Sequence, residues 1–229
     1  FGTNNAQRMT INAAGNVGIG TSSPTRKLTV YDTDAYLALQ NPTTGSAAGD
    51  GFQLQLVGND VYHANYEAGS QIFTTSGSER MRINSAGIVT KPLQPAFLAQ
   101  PSTTILNIPT GASGNLNFDA ERFDTNSDYS SGTFTAPVTG KYFLTVNFYF
   151  INLDSAASYY EGLLTTSNRT YYTIVDPDFG QDNVYFCLVL TVLADMDAGD
   201  TANISVHQGG GSSQTDISAS AIFSGYLVA

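Results

Sequence analysis

The sequence predicts an all-β fold, and its composition, its two longest apolar segments and its turn chemistry each support that prediction. Charged residues make up only 12% of the 229 residues, while aromatic residues make up 11% and glycine occurs 22 times. Segments 141–151 and 184–193 are dense in β-branched and aromatic residues, which favour strands. Clusters of Gly, Asn, Asp and Pro, such as those at 41–45 and 57–60, predict turns between shorter apolar segments.

Charge divides the chain into two predicted modules. Residues 1–91 carry six basic and six acidic side chains, so the net charge of −10 belongs entirely to residues 92–229. Pro92 and Pro95 disfavour both helix and central strand at the junction. We therefore predict a β-hairpin-rich shaft or collar over residues 1–91 and a separate head over residues 92–229.

The composition also excludes several functional classes. An acidic chain with only nine basic residues argues against nucleic-acid binding, which needs a basic face. No segment approaches the roughly 18 apolar residues of a spanning helix, so we expect no membrane insertion. One Cys and two His residues exclude an internal disulfide and a conventional zinc site.

The first module contains an internal repeat. Residues 7–17 recur at 79–89, an offset of 72 residues, with seven of eleven positions identical. Each copy places Met, Ile and Val around an Ala-Gly turn, which predicts one β-hairpin used twice; the alternative is two unrelated hairpins with similar turns. A hairpin this short cannot bury its own apolar face, so we expect it to pack on another copy of the chain.

Other segments complete the predicted secondary structure. Strands are expected at 28–31, 36–40 and 52–57, and only residues 32–40 could form even a short helix. Segments 141–151 and 184–193 are apolar at nearly every position, so we expect both faces of each strand to be covered. In an antiparallel sandwich the partner sheet covers one face, and a neighbouring subunit would cover the other.

Residues 132–143, Gly-Thr-Phe-Thr-Ala-Pro-Val-Thr-Gly-Lys-Tyr-Phe, resemble the signature of the globular head of complement component one, subcomponent q, one of the tumour-necrosis-factor-like jelly rolls. Phe123 and Asp128-Tyr129 lie where that family has an aromatic and acidic turn. Residues 223–228 resemble its closing strand, and Leu193 with residues 198–200 resembles its turn into a late strand. The resemblance spans roughly residues 92–229 and implies a jelly-roll β-sandwich that assembles as a homotrimer.

A second resemblance covers only about residues 7–31. The segment 15–24, Gly-Asn-Val-Gly-Ile-Gly-Thr-Ser-Ser-Pro, followed by Lys-Leu-Thr-Val, resembles a phrase of bacteriophage tail-fibre proteins and related bacterial surface proteins. Its glycines are not expected to form a phosphate-binding loop, because the spacing Gly-x-x-Gly-x-Gly is wrong, the loop itself contains no lysine, and no helix signal follows it. The resemblance implies a homotrimeric fibre that ends in a host-contacting tip.

Two sets of residues are candidate binding sites. An acidic and aromatic segment could bind a receptor, by stacking sugars on rings and accepting hydroxyl hydrogen bonds; the alternative is a solvated loop. Its members are Tyr171, Tyr172, Asp176, Asp178, Phe179 and Asp182. Asp195, Asp197 and Asp200 offer oxygen ligands at short spacing, as calcium requires, although the same pattern is typical of a solvated turn.

No catalytic group is predicted. His63 and His207 lie far apart in sequence, and Cys187 lies inside an apolar strand, where we expect it to be a buried structural residue. The carboxylates of the candidate receptor-binding segment have nothing evident beside them to raise a pKa for glycoside hydrolysis. We expect a protein that is not an enzyme and has no cofactor, calcium being the one metal considered.

The predicted function is structural and adhesive. The chain starts at Phe1 without an initiator Met, and we expect it to be the C-terminal part of a longer phage fibre on the virion surface. The expected partners are two further copies of the chain, a host-surface glycan or protein, and other virion proteins contacted through a preceding region. A bacterial adhesin or appendage subunit is the alternative, followed by a glycan-degrading fibre tip.

Overall fold

The computed structural model describes residues 1–3, 6–111 and 114–228, and every regular element within these ranges is a β-strand. The described residues contain no helix long and apolar enough to cross a membrane. The chain forms two compact units, Phe1–Lys91 and Pro92–Ala229.

The described part of the first unit contains short strands only. These are β1 (Gly2–Thr3), β2 (Ala6–Gln7), β3 (Met9–Ile11), β4 (Val17–Ile19), β5 (Leu28–Val30), β6 (Asp34–Leu39), β7 (Phe52–Val57), β8 (Asp60–Asn65), β9 (Gln71–Thr75), β10 (Ser78–Ile83) and β11 (Val89–Thr90).

The second unit contains longer strands, and the two longest include the predicted segments 141–151 and 184–193. Its strands are β12 (Ala96–Gln100), β13 (Gly114–Asn115), β14 (Ala120–Asp124), β15 (Tyr129–Ser130), β16 (Thr133–Thr135), β17 (Gly140–Leu153), β18 (Tyr159–Thr166), β19 (Thr170–Val175), β20 (Asn183–Met196), β21 (Thr201–Gly209), β22 (Asp216–Ile217) and β23 (Ile222–Leu227).

Both copies of the predicted hairpin are present in the first unit. β3 pairs antiparallel with β4, and β10 pairs antiparallel with β11. The same two sequence positions face each other in both hairpins, Ile11 with Val17 and Ile83 with Val89. The repeat in the sequence is therefore a repeat in structure.

An asparagine side chain shapes both turns. Oδ1 of Asn12 accepts the backbone N–H groups two and four residues further on at 3.0 Å, and Oδ1 of Asn84 does the same at 2.9 Å. Gly15 and Gly87 follow with φ of 71° and 79°, a left-handed conformation that glycine adopts without strain. Local hydrogen bonding therefore determines both turns.

β6, β7 and β8 form a three-stranded antiparallel sheet. The helix considered for residues 32–40 does not form, because all six residues of β6 pair with β7. Cross-strand bonds satisfy the backbone groups that a helix would have paired within the segment.

The head is a sandwich of two antiparallel sheets with the predicted jelly-roll arrangement. The first sheet has the order β14-β12-β23-β17-β20, and β22 also pairs with β17. The second sheet has the order β15-β16-β21-β18-β19, and β13 also pairs with β21. Sequence neighbours often belong to opposite sheets, so the chain crosses the core repeatedly.

Aromatic side chains fill the space between the two head sheets. The ring of Phe97 stacks on Tyr129 at 5.0 Å and on Phe134 at 4.7 Å, both from the second sheet. Its edge meets Phe223 of the first sheet at 5.0 Å. The ring of Phe148 occupies the space in which a Cβ atom of Gly162 would lie, so this close approach requires a glycine.

The first unit has no comparable core. Among its described residues Pro24 is buried, but no valine, leucine, isoleucine, methionine or aromatic side chain is, whereas the head buries many such side chains. Apolar surface left in water is unfavourable by roughly 25 cal/mol per Å². The first unit therefore presents apolar surface that a partner could cover.

Candidate functional site

One side of the first head sheet is an exposed apolar surface, which we call the apolar face. It consists of the outward positions of three neighbouring strands, which alternate with the core positions. These residues are Phe143, Thr145, Asn147, Tyr149, Ile151, Tyr185, Cys187, Val189, Thr191, Leu193, Ile222, Ser224 and Tyr226. Val189 is 57% exposed and Leu193 is 58% exposed in the single chain.

The apolar face is uncharged over most of its length. Lys141 lies opposite Asp195 at one end, and from the next row to the row of Ile151 and Tyr185 none of its residues is Asp, Glu, Lys, Arg or His. Protein interfaces are depleted of charge at their centres in the same way. The surface therefore has the chemistry of a buried interface rather than of a solvated sheet.

A polar row crosses the middle of the apolar face. The hydroxyls of Thr145 and Thr191 are hydrogen-bonded at 2.8 Å. In the next row Asn147 lies between Val189 and Ile222, and its Oδ1 is buried without a hydrogen-bond partner among the described residues. An unpaired buried oxygen is unfavourable.

Cys187 also belongs to the apolar face. The prediction that it is a buried structural residue is wrong for the single chain, in which the thiol is free and the residue exposed. The error arises because alternation along β20 points Cys187 away from the core. As the only cysteine of the chain, it reports whether this surface is covered.

The two-sheet topology and the aromatic core together define a jelly-roll domain. The C1q domain model matches residues 96–228, more than half of the chain, and the chain belongs to the C1q domain family. Domains of this family are often trimeric and bind ligands. The predicted family of the head is thus confirmed.

Two solved proteins are similar in structure to part of this chain. The globular domain of zebrafish complement 1qA matches 59% of this chain and 98% of its own, with 18% identity and a TM-score of 0.45. Murine APRIL at pH 8.5 matches 59% of this chain and 99% of its own, with 9% identity and a TM-score of 0.44. No curated protein sequence matches the chain at a significant level.

The predicted receptor-binding residues do not form a single surface. Tyr171 points towards the core side of β19, whereas Tyr172 points outward and is 64% exposed. Asp176 and Asp178 are exposed in the connection to β20, where the ring of Phe179 packs on Phe186 at 5.6 Å. Part of the predicted loop is therefore strand β19, and alternation separates its two tyrosines.

Asp182, the last of that set, is engaged in a structural contact. Its Oδ1 accepts the backbone N–H and the hydroxyl of Ser155, both at 2.9 Å, and its Oδ2 accepts Nε2 of Gln214 at 2.8 Å. The backbone N–H of Ser155 is the main cause that lowers the pKa of Asp182. This carboxylate joins the β17–β18 turn to the β21–β22 loop.

Asp154 supports the same junction from inside. It is 4% exposed, and its carboxylate accepts the backbone N–H of Ser212 at 2.5 Å, the Ser212 hydroxyl at 2.9 Å and the N–H of Ala156 at 2.8 Å. The bond from the Ser212 N–H is the largest cause that lowers the pKa of Asp154 below its ordinary value of 3.8, against the opposing effect of burial.

Acid is expected to weaken the head through Asp154. Because the folded-state pKa lies below the unfolded value, the stabilisation is complete above about pH 4 and is lost as the pH falls through the folded-state pKa. We expect Asp154→Asn to lower the free energy of unfolding by about 2 kcal/mol at neutral pH and by less in acid. Urea unfolding at fixed protein concentration measures this, with exposed Asp178→Asn as control. An equal loss of unfolding free energy at neutral and at acidic pH would contradict the prediction.

The predicted calcium ligands are occupied by protein contacts. Arg169 pairs with Asp195 at 2.9 Å, and Oδ2 of Asp200 accepts the backbone N–H of Asp197 at 2.8 Å and Nδ2 of Asn168 at 3.1 Å. Among the described residues no group of three or more His, Cys, Asp or Glu side chains is placed to hold a metal ion. In this structure the three residues belong to a hydrogen-bonded turn.

Sequence inspection missed a contact on the outer side of the second head sheet. Nδ1 of His207 lies 3.6 Å from Oε2 of Glu161, and the ring of Tyr159 meets the imidazole edge-on at 5.4 Å. The register of β18 and β21 places residues 161 and 207 side by side, although 46 positions separate them. No spacing along the chain indicates such a pair.

Proposed function

We propose that the chain is part of a homotrimeric bacteriophage fibre on the virion surface, whose head binds a glycan or protein of the host cell. The protein acts by binding rather than by catalysis. Other virion proteins hold the fibre on the particle.

The observation that supports this proposal is apolar surface exposed in both units. The head leaves one whole sheet face uncovered, and the described part of the first unit buries no large apolar side chain. Two such surfaces in one chain favour self-association along much of its length. Three copies are favoured because C1q domains are often trimeric, and a fibre is favoured because residues 15–24 resemble a tail-fibre phrase.

Trimerisation supplies the mechanism of attachment. Each head carries few evident binding groups, so one copy would bind a surface weakly. Three copies on a rigid tip bind cooperatively through avidity, which raises the overall affinity by about 10²–10⁴-fold when all three engage. The acidic head, with three basic and thirteen acidic residues, favours a receptor that is neutral or basic.

Native mass spectrometry tests the assembly. We expect one species of about 73 kDa, three times the 24.3 kDa of one chain. An obligate interface of this kind buries on the order of 2,000 Å² or more. A stable folded monomer at micromolar concentration would contradict the proposal.

Adsorption to cells tests the attachment role. Fluorescently labelled protein is incubated with a panel of bacterial strains and with their isogenic mutants that lack lipopolysaccharide outer core, capsule or teichoic acid. We expect saturable binding to one strain and its loss in one mutant. Trimers that bind none of the strains would contradict host attachment but not trimerisation. Sugar release from the envelope would favour the glycan-degrading alternative.

A further inference from the structure

In the sheet of β6, β7 and β8, two glutamines of the central strand are buried and the leucines that alternate with them are exposed. Gln53 and Gln55 are 4% and 8% exposed, whereas Leu54 and Leu56, which alternate with them, are 37% and 48% exposed. Burying an amide is unfavourable unless its donors and acceptors are paired. The glutamine side must therefore gain polar contacts that offset this cost.

Hydrogen bonds hold these amides in fixed positions. Nε2 of Gln55 donates to Oε1 of Gln53 at 3.0 Å and to the hydroxyl of Tyr66 at 2.8 Å. Nε2 of Gln53 donates to the carbonyl of Ala48 at 2.6 Å, and Nε2 of Gln40 donates to the carbonyl of Ala47 at 2.7 Å. Groups that are already positioned lose little conformational freedom when a ligand binds.

The loop over this side of the sheet, residues 41–50, is held by its own hydrogen bonds. Oδ2 of Asp50 accepts the backbone N–H of Ala47 at 2.7 Å, and Oδ1 of Asn41 accepts the N–H of Thr44 at 3.0 Å. At the end of the loop, Oε1 of Glu67 accepts the N–H of Gly51 at 2.7 Å. Both carboxylates therefore serve the backbone of the loop.

A concavity of about 490 Å³ lies between the loop and the sheet, within the first unit. Tyr36 and Tyr66, which are 47% and 51% exposed, contribute rings to its wall. Its lining includes no charged side chain and consists mainly of Tyr36, Ala38, Gln40, Ala47, Gln53 and Tyr66. This volume is within the range of small-molecule sites, about 300–1,000 Å³.

We propose that this concavity binds a neutral saccharide. The amide N–H groups of Gln40 and Gln53 already donate to loop carbonyls, so sugar hydroxyls would donate to the amide and loop carbonyl oxygens and exchange hydrogen bonds with the tyrosine hydroxyls. The C–H face of a sugar ring packs on a tyrosine ring. A charged ligand would lose hydration and find no opposite charge in the lining.

The site goes beyond the proposed function, because it lies in the first unit and does not rest on the head or its receptor. Strand alternation places Leu37, Leu54 and Leu56 on the opposite side of the sheet from Tyr36 and Gln53. Self-association through the leucines would therefore leave the concavity open to solvent.

Saturation-transfer NMR on the full chain tests the proposal, with neutral hexoses, N-acetylhexosamines and their disaccharides as probes. We expect at least one probe to bind at millimolar concentration or below. Glucuronic and sialic acids are expected to bind at least tenfold more weakly. Absence of binding by every neutral probe, or equal binding of the acidic sugars, overturns the proposal.

Variants locate the site. Tyr36→Ala removes one ring, and Ala47→Trp fills the concavity from the loop without changing a strand. Each is expected to weaken binding at least tenfold. Tyr62→Ala is the matched control, because Tyr62 lies on the same side of the sheet, is 46% exposed and does not line the concavity. The affinity of the Tyr62→Ala variant for the saccharide should stay within twofold of the wild-type value. Undiminished binding in both site variants, or an equal loss in the control, overturns the proposal.

Discussion

Val189→Asp is expected to dissociate the proposed trimer into monomers. Val189 lies in the middle row of the apolar face, on the edge strand β20 opposite Asn147, and is 57% exposed in the single chain. Covering that face by a neighbouring chain would bury the new carboxylate without a counterion, at a cost of about 3–5 kcal/mol in each subunit. Three like charges near one axis add repulsion. Native mass spectrometry should show the 24.3 kDa chain replacing the trimer.

Ile174→Asp is the matched control for this substitution. Ile174 is also β-branched, is 56% exposed and lies on β19, the edge strand of the other head sheet. We expect this variant to remain trimeric. The single Cys187 gives a second measurement, since its thiol should react slowly in wild type and rapidly in Val189→Asp. Dissociation by Ile174→Asp instead would assign the interface to the second sheet.

Phe97→Ala is expected to cause the largest loss of stability among single substitutions in the core. Phe97 is 1% exposed and its ring contacts aromatic rings from both head sheets. Removing a buried phenylalanine costs about 3–5 kcal/mol, since the surrounding rings cannot fully close the cavity. That is a large fraction of the 5–15 kcal/mol that typically stabilises a domain. Thermal and urea unfolding at fixed protein concentration measure the change.

Phe123→Ala is the control for Phe97→Ala, because it removes an exposed aromatic ring instead of a buried one. Phe123 lies on the neighbouring strand β14, opposite Leu98, and is 52% exposed. An exposed substitution of this kind changes stability by about 0.5 kcal/mol. Comparable losses in the two variants would mean that Phe97 does not join the sheets as its contacts indicate.

Local chemistry in the sequence determined several parts of the structure. The turns at Asn12 and Asn84 were predictable because each asparagine bonds the backbone within four residues and a glycine follows. The long strands β17 and β20 were predictable because their β-branched and aromatic residues favour an extended chain whatever surrounds them. The head family was predictable from residues 132–143, and the family model matches there.

Tertiary structure alone decided which side of each strand is buried. Alternation along β7 separates Gln53 and Gln55 from the leucines, but the same pattern fits burial of either set. The loop over the sheet contacts Gln53, so the glutamines are the residues that become buried. The same loop, together with Tyr36 and Tyr66, encloses the concavity. Contacts between strands distant in sequence, such as Glu161 with His207, arise in the same way, because their partners depend on register rather than on spacing along the chain.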